Sequence, residues 1–403
     1  MRMVRIFILI FSFILMCHQA FPSNVVLRKD ERGSWRLYVD GKPYFIKGIT
    51  YDPVKIGEKL TSSNTWMNYD FNHNGINDCA YESWVDKNRN GIQDKDEKTV
   101  GDFYLLKEMG INTIRIYHYA NVRKKLLRDL YKRFGIRVIM GNFMGAYCWG
   151  SGALWKNGTD YTNEQEKDNM LADVRKMVLE YKDEPYVLAW MLGNENDMKG
   201  SYGNSTFNNT NARDFPEEFA KFVNKIAGVI HKLDPNHPLG VCNGSYLLLP
   251  YYKKYAPELD FVGFNSYKGP FGFGSLFRTV KFYIDKPVLI TEYGVDSFDQ
   301  NKGKEDEDYQ VFYHRNAWRD IVANSKKEPK NSIGGIIHTW LDAWWYCGKP
   351  DEHDIEKGAW QGPTKDSWFN DEWLGIASQG NGENSPFVRQ LRKVYYFYRK
   401  ELK

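Results

Sequence analysis

The sequence predicts a closed (β/α)8 barrel, and three observations predict it. Short β-rich apolar runs alternate with amphipathic stretches of helical period, the pattern of a parallel α/β fold. The runs number eight, which favours a closed barrel over an open sheet. The two longest connections, residues 52–100 and 341–386, follow the first and eighth runs. Both therefore belong to the C-terminal face, where barrel enzymes build their sites.

The elements follow in order. Val25-Val26-Leu27-Arg28 and Trp35–Val39 read as strands, joined by a turn at Glu31-Arg32-Gly33 and followed by a tight Asp40-Gly41 turn. Such a hairpin can plug the bottom of a barrel. The eight barrel strands are expected at 44–51, 112–117, 137–141, 187–193, 238–242, 261–266, 288–293 and 333–340. Helical periodicity runs over 121–134, 164–181, 216–233 and 309–324, with a closing helix over 389–401.

Composition excludes some classes of function. At 42% hydrophobic and 26% charged, the 403-residue chain is a folded globular protein. Its net charge of +4 comes without a long Lys/Arg block, so nothing points to nucleic acid. Aromatic residues reach 16%, including 13 Trp and 27 Tyr; flat rings suit sugars but also fill cores. Residues 1–23 read as a signal peptide. A basic Met1-Arg2-Met3-Val4-Arg5 precedes an apolar run from Ile6 to Met16, too short to span a bilayer, with cleavage between Ala20 and Ser23. A lipoprotein signal at Cys17 is disfavoured by the bulky Met16 before it. The expectation is a secreted, periplasmic or cell-surface protein with no stable membrane span, and a single domain over 24–403 in which 53–100 is an insertion. Cys79, Cys148, Cys242 and Cys347 allow three full disulfide pairings or remain free thiols.

Two glutamates carry the chemistry. Trp190-Met191-Leu192-Gly193-Asn194-Glu195 closes the fourth strand, and Val288-Leu289-Ile290-Thr291-Glu292 ends the seventh. Ends of those strands face each other across a barrel mouth. Glycoside hydrolysis needs such a pair: one acid protonates the leaving oxygen, and the other attacks or activates water. The bland alternative is a strand-end ion pair for each, which the occurrence of both motifs disfavours.

These motifs resemble the catalytic barrel of the clan A glycoside hydrolases. Trp190 to Glu195 is similar to the acid/base motif of the family 2 barrel, and Lys286-Pro287 to Gly294 is similar to its nucleophile strand. Arg115-Ile116-Tyr117-His118-Tyr119 resembles the segment after that barrel's second strand, and 112–117 is also similar to the family 72 β-1,3-glucanosyltransferases. The resemblance covers roughly residues 35–402 and lacks the β-sandwich domains that precede the family 2 barrel. It implies a retaining β-glycosidase with Glu195 as acid/base and Glu292 as nucleophile. It further implies that Asn194 binds the sugar 2-hydroxyl, Arg115 keeps Glu292 ionised, Tyr267 donates to Glu292, Trp340 stacks under the sugar and His118 lines the cleft.

Within the first long loop, Asp86, Asn88, Asn90, Asp94 and Glu97 place oxygens at positions 1, 3, 5, 9 and 12 of a twelve-residue loop. Gly91 at position 6 permits the sharp turn, and the Ile92 carbonyl supplies position 7. Hard oxygens at this spacing predict a structural calcium; the two-carboxylate chemistry needs no cofactor. A partial copy, Asp70 to Asp78, precedes it and lacks an acid at its twelfth position, Tyr81. A solvated Asn/Asp/Gly turn is the plainer reading of either loop. Trp344, Trp345, Trp360, Trp368 and Trp373, with Tyr147, Trp149 and Trp155, supply rim aromatics that pack the loops or form subsites. Asn157, Asn204, Asn208 and Asn243 head glycosylation patterns. Two rivals to a hydrolase remain: a β-glucanosyltransferase sharing every catalytic residue, and a non-catalytic, calcium-stabilised carbohydrate-binding protein.

Overall fold

The computed structural model describes residues 22–62, 64–198, 201–202, 205–206, 208–355 and 364–403. Most of the expected signal segment lies outside the described residues. Eight parallel strands close a barrel in sequence order: β1 (Ile46–Thr50), β2 (Thr113–Ile116), β3 (Arg137–Asn142), β4 (Val187–Leu192), β5 (Leu239–Asn243), β6 (Phe261–Asn265), β7 (Val288–Tyr293) and β8 (Ser332–Ile337), with β8 pairing back onto β1. Because both faces of each strand are covered, the strands are continuous apolar runs rather than alternating ones.

Helices α1 (Asp102–Met109), α2 (Lys124–Asp129), α3 (Glu164–Tyr181), α4 (Pro216–Leu233), α5 (Leu249–Tyr255), α6 (Leu276–Ile284), α7 (Glu307–Lys326) and α8 (Lys393–Glu401) wrap the barrel. Their starts follow local chemistry. The Asn163 side chain accepts from the N–H groups of Gln165 and Glu166 at the head of α3, and Asp306 accepts from Tyr309 at the head of α7. The larger apolar core lies between strands and helices; a smaller one fills the barrel interior.

The N-terminal strands plug the bottom of the barrel. Val25–Lys29 and Trp35–Val39 pair antiparallel, and Lys42–Tyr44 joins them through a turn in which Asp40 and Gly41 both take positive φ. Val25, Leu37 and Val39 pack on Ile139, Leu188, Phe261, Leu289 and Ile333 inside the barrel.

At the opposite face the two long loops meet. Trp84–Val85 of the first pairs parallel with Val388–Leu391, which pairs antiparallel with Ala377–Ser378 of the second. The closing helix expected from residue 389 therefore begins at 393, because Arg389 is spent on this sheet. Its guanidinium donates to both oxygens of Asp102 at 2.7 and 2.9 Å, and both side chains are wholly buried. Asp102 also accepts from Tyr51 and Ser83. No disulfide joins Cys79, Cys148, Cys242 and Cys347. Among the described residues no helix is long and apolar enough to cross a membrane.

Candidate active site

The end of β4 is shaped for display. Gly193 turns the chain at φ 70°, where a Cβ would lie 2.4 Å from Asn196 Oδ1. Glu195 itself sits at φ 55°, a backbone region that glutamate seldom adopts. Several partners hold it there. Its N–H donates to the Cys242 carbonyl at 3.1 Å, and the Asn208 amide donates to the carbonyls of Asn194 and Glu195 at 3.0 and 2.7 Å. The Thr210 hydroxyl adds a bond to the Asn196 carbonyl.

Glu292, at the end of β7, is 6% exposed and surrounded by donors. Arg115 Nη1 donates to its Oε1 at 3.0 Å, the Tyr117 hydroxyl to the same oxygen at 2.7 Å, and the Tyr267 hydroxyl to Oε2 at 2.8 Å. Burial opposes its charge, but the His338 imidazole, Arg115 and the two tyrosines outweigh burial and hold the carboxyl below its ordinary range. Glu195 goes the other way. Burial, then the Glu292 charge, then Asp197 push it up to about 8, against the opposing hydrogen bond from Asn265 and the charge of Arg115.

Asn265, at the end of β6, bridges the pair and was not singled out from sequence. Its Nδ2 donates to Glu195 Oε1 at 2.7 Å and to Asn194 Oδ1 at 3.1 Å, while its Oδ1 accepts from Arg115 Nη1 at 3.3 Å and Thr291 Oγ1 at 2.9 Å. Asn194 Oδ1 also accepts from Arg115 Nη2 at 3.0 Å. With its oxygen so occupied, Asn194 presents its amide nitrogen, 3.1 Å from the Tyr147 hydroxyl. Arg115 is 1% exposed and stacks its guanidinium 4.3 Å from the Tyr117 ring centroid. The Cys242 thiol lies 3.1 Å from Asn265 Oδ1, and burial pushes it up to about 11, so it stays neutral.

Two expected site residues are placed differently. Trp340 has no exposed surface; its ring packs 6.3 Å from that of Tyr395 in the layer between barrel and helices. The reason is the strand's exit: β8 ends at Ile337, and the side chain that meets the site is His338, whose Nδ1 lies 3.3 Å from the Tyr117 hydroxyl and 3.1 Å from Thr50 Oγ1. Gly294 admits this approach, since a Cβ there would lie 2.3 Å from the His338 carbonyl oxygen. His118 is 5% exposed, stacked at 5.3 Å on Phe143 and accepting from its N–H at 3.3 Å. Burial lowers it to about 4 despite the nearby Asp173, so it is a neutral support beneath Phe143 and Trp149 rather than an open cleft residue. Asp52, just past β1, completes the wall beside His338. Burial raises its carboxyl, the His338 imidazole opposes this, and its Oδ1 accepts from Thr339 Oγ1 at 3.4 Å.

Away from the cleft, the loop of Asp86, Asn88, Asn90, Ile92, Asp94 and Glu97 is wound on itself. Asp86 accepts from the N–H groups of Asn90 and Gly91, Asn90 Oδ1 from Ile92, and Glu97 from Lys87 and Asp94. Residues 70–76 repeat the first three bonds sixteen positions earlier: Asp70 accepts from Asn74 and Gly75, and Asn74 from Ile76. Among the described residues no three His, Cys, Asp or Glu side chains stand ready as a metal cage. Two of the glycosylation patterns are excluded by burial: Asn208 and Asn243 are 0% and 1% exposed, and their amides are spent on backbone carbonyls. Asn157 is exposed; Asn204 and Trp360 lie outside the described residues.

Comparison with known proteins places this site in a family. A β-glucuronidase of Paenibacillus borealis is 26% identical over 215 residues, 49% of this chain and 32% of that protein. A mannan endo-1,4-β-mannosidase F of Aspergillus clavatus is 28% identical over 186 residues, 39% of this chain and 37% of that protein. Among solved structures, a β-D-glucuronidase of Dictyoglomus thermophilum superposes with a TM-score of 0.55 at 16% identity, over 94% of this chain and 53% of that one. A GH2 β-galacturonidase from Eisenbergiella tayi gives 0.54 at 17%, over 94% and 54%. The chain thus spans about a third of these curated relatives and about half of the solved chains, whose likeness is one of fold. Residues 68–323 match the family described as glycosyl hydrolases family 2, TIM barrel domain. The chain belongs to that family.

Proposed function

We propose that this protein is a retaining β-glycoside hydrolase acting on a β-linked oligo- or polysaccharide. The observation that carries the reading is the opposed ionisation of two glutamates bridged by Asn265: Glu195 held up to about 8, Glu292 held low. Protonated Glu195 gives its proton to the leaving glycosidic oxygen while anionic Glu292 attacks the anomeric carbon, forming a glycosyl-enzyme. Glu195, now a carboxylate, takes a proton from water as that water displaces Glu292. Arg115, Tyr117 and Tyr267 stabilise the nucleophile's charge and its return as leaving group. Asn194, its oxygen tied to Arg115 and Asn265, offers its N–H to the sugar 2-hydroxyl. Two displacements return the starting configuration. Proton NMR of the first product from an aryl β-glycoside, recorded before mutarotation, is expected to show the β-anomer; α-product first would refute the mechanism.

Calcium at Asp86–Glu97 is the second part of the proposal, as a structural ion. The loop supports it in having Asp86 and Glu97 2% and 3% exposed at its two ends. The Asn88 and Asn90 amides both donate to Asp94 Oδ2, at 2.8 and 3.1 Å. Turning those two side chains would bring oxygens toward Asp94, the hard-oxygen set calcium takes, in exchange for the bonds their oxygens now accept from the N–H groups of Asn90 and Ile92. The basic start and apolar run of residues 1–16 support export.

A further inference from the structure

A protonated carboxyl has one hydroxyl oxygen and one carbonyl oxygen, and the surroundings of Glu195 tell them apart. Asn265 Nδ2 meets Oε1 at 2.7 Å, while Oε2 takes no hydrogen bond from a described residue. Glu195 is half-buried, whereas Asn265 is buried. The carbonyl oxygen of a carboxylic acid is its better acceptor, and a proton on Oε1 aimed at Asn265 would collide with the amide hydrogen. The acid proton therefore belongs on Oε2, provided Asn265 keeps its nitrogen toward Glu195.

Proton counting decides that orientation. A guanidinium only donates, so the Asn194 atom 3.0 Å from Arg115 Nη2 and the Asn265 atom 3.3 Å from Nη1 are both oxygens. Asn265 then turns Nδ2 toward Asn194 Oδ1, at 3.1 Å, and Glu195 Oε1, two acceptors for its two hydrogens. Arg115 alone does not hold it there. The two hydrogens of Nη1 go first to Glu292 Oε1 and the Thr291 carbonyl, each at 3.0 Å. The nearer donors to Asn265 Oδ1 are the Thr291 hydroxyl at 2.9 Å and the Cys242 thiol at 3.1 Å. Burial keeps that thiol neutral, so it retains the proton it donates. Turned over, the carboxamide would set its oxygen against Asn194 Oδ1 and Glu195 Oε1.

We propose that Asn265 is a positioning residue that keeps the acid proton on Glu195 Oε2, and that the Thr291 hydroxyl and the Cys242 thiol hold its carboxamide in the orientation that does so. On the double displacement, on which this inference rests, Oε2 gives its proton to the glycosidic oxygen as the bond from that oxygen to the anomeric carbon breaks and Glu292 bonds to the carbon. Water then bonds to the carbon, Glu292 leaves, and a proton from the water returns to Oε2. One oxygen serves both steps, and the carboxylate between them keeps the Asn265 bond on Oε1.

Neutron diffraction from deuterium-exchanged crystals at about pH 6, below the Glu195 midpoint of about 8, reads the proton directly. Deuterium is expected on Glu195 Oε2, with the deuterated nitrogen of Asn265 toward Oε1. Deuterium on Oε1, or the Asn265 oxygen toward Glu195, overturns the assignment. An ionised Glu195 overturns the mechanism beneath it instead. Kinetics on phenyl and 2,4-dinitrophenyl β-glycosides of gluco, galacto, manno and glucurono configuration tests the consequence, since phenoxide needs the proton to leave and dinitrophenoxide does not. Asn265→Asp keeps the shape and the oxygen facing Thr291 and Cys242, but puts a second oxygen where the N–H was and draws the proton toward Oε1. It should lower kcat/KM for the phenyl glycoside about tenfold more than for the dinitrophenyl one. An equal loss on both shows a structural role only and overturns the positioning. Cys242→Ala should widen the same ratio about threefold, and Cys242→Ser should restore it. A ratio that Cys242→Ala leaves unmoved removes the thiol from the proposal. Wild-type turnover of none of these glycosides counts against the hydrolase reading, and the neutron result stands whether or not a variant folds.

Discussion

Replacing Glu292 by Gln should lower the ionisation midpoint of Glu195. In the native site Glu195 stands near 8 rather than 4.5, with burial the first cause and the Glu292 charge the second. Glutamine keeps the burial and removes the charge. Two unit charges about 5–5.5 Å apart, the spacing of a retaining pair, interact by about 3 kcal/mol at an effective dielectric constant of ~20, or roughly 2 pKa units. Arg115, already 3.0 Å from Glu292, offsets part of that repulsion in the native site. The expected fall is therefore about 1–2 units. The sign is firm: an anion nearby disfavours a second anion, so removing it lets Glu195 lose its proton at lower pH. Burial, unaltered, keeps the new value above 4.5. Carbon-13 NMR of protein labelled at the glutamate side-chain carboxyls follows the titration directly, with Glu195→Gln identifying the resonance. An unmoved midpoint would mean the two carboxyls do not share a site, and the proposed mechanism would fall with it.

Three further outcomes follow from the same structure. Glu195→Gln should stabilise the fold at pH 8. The folded-state value lies above the unfolded one, so stability from this group is full below pH 4.5 and lost as pH rises to about 8, a difference on the order of a few kcal/mol that urea melts at pH 4 and pH 8 would reveal. Asp102→Asn should cost about 3–5 kcal/mol in the same melts, because it leaves Arg389 buried without its counter-charge; an unchanged midpoint would show that the pair ties nothing together. Calcium at a hundredfold excess over its dissociation constant should stabilise by about 2.7 kcal/mol relative to stripped protein in chelator, and Glu97→Gln should abolish that response; identical melts would remove the metal from the proposal.

The barrel was legible because each strand is a run of apolar residues long enough to cross it and is bounded by polar turns. The two glutamates were legible because each ends such a run. Asn265, Asn208, His338 and Asp52 were not, since their partners lie 13 to 288 positions away and nothing local marks them. A weak signal existed for Asn265 and Asp52: each is a polar residue at or just past a strand's C-terminal end, the place where barrels carry their chemistry. Trp340 misled because the strand's apolar run continues past the point where the chain leaves the barrel. Arg389 misled because the residues around it read as the first turn of α8, whereas a buried carboxylate nearly three hundred positions earlier draws it into a sheet. Apolar periodicity is a local signal, and partner choice at that separation is not.

The small sheet joining Trp84–Val85 to Val388–Leu391 also has a consequence for synthesis. A chain leaving the ribosome amino end first exposes the early strand long before its partner exists. The first loop, with its Asn- and Asp-rich turns, must therefore wait unpaired until almost the whole polypeptide has emerged. Closure of β8 on β1 falls in the same late interval. Contacts spanning so much sequence form slowly. Ribosome-bound chains ending before residue 388 should hold this loop open to proteases, and release of the last sixteen residues should lock it.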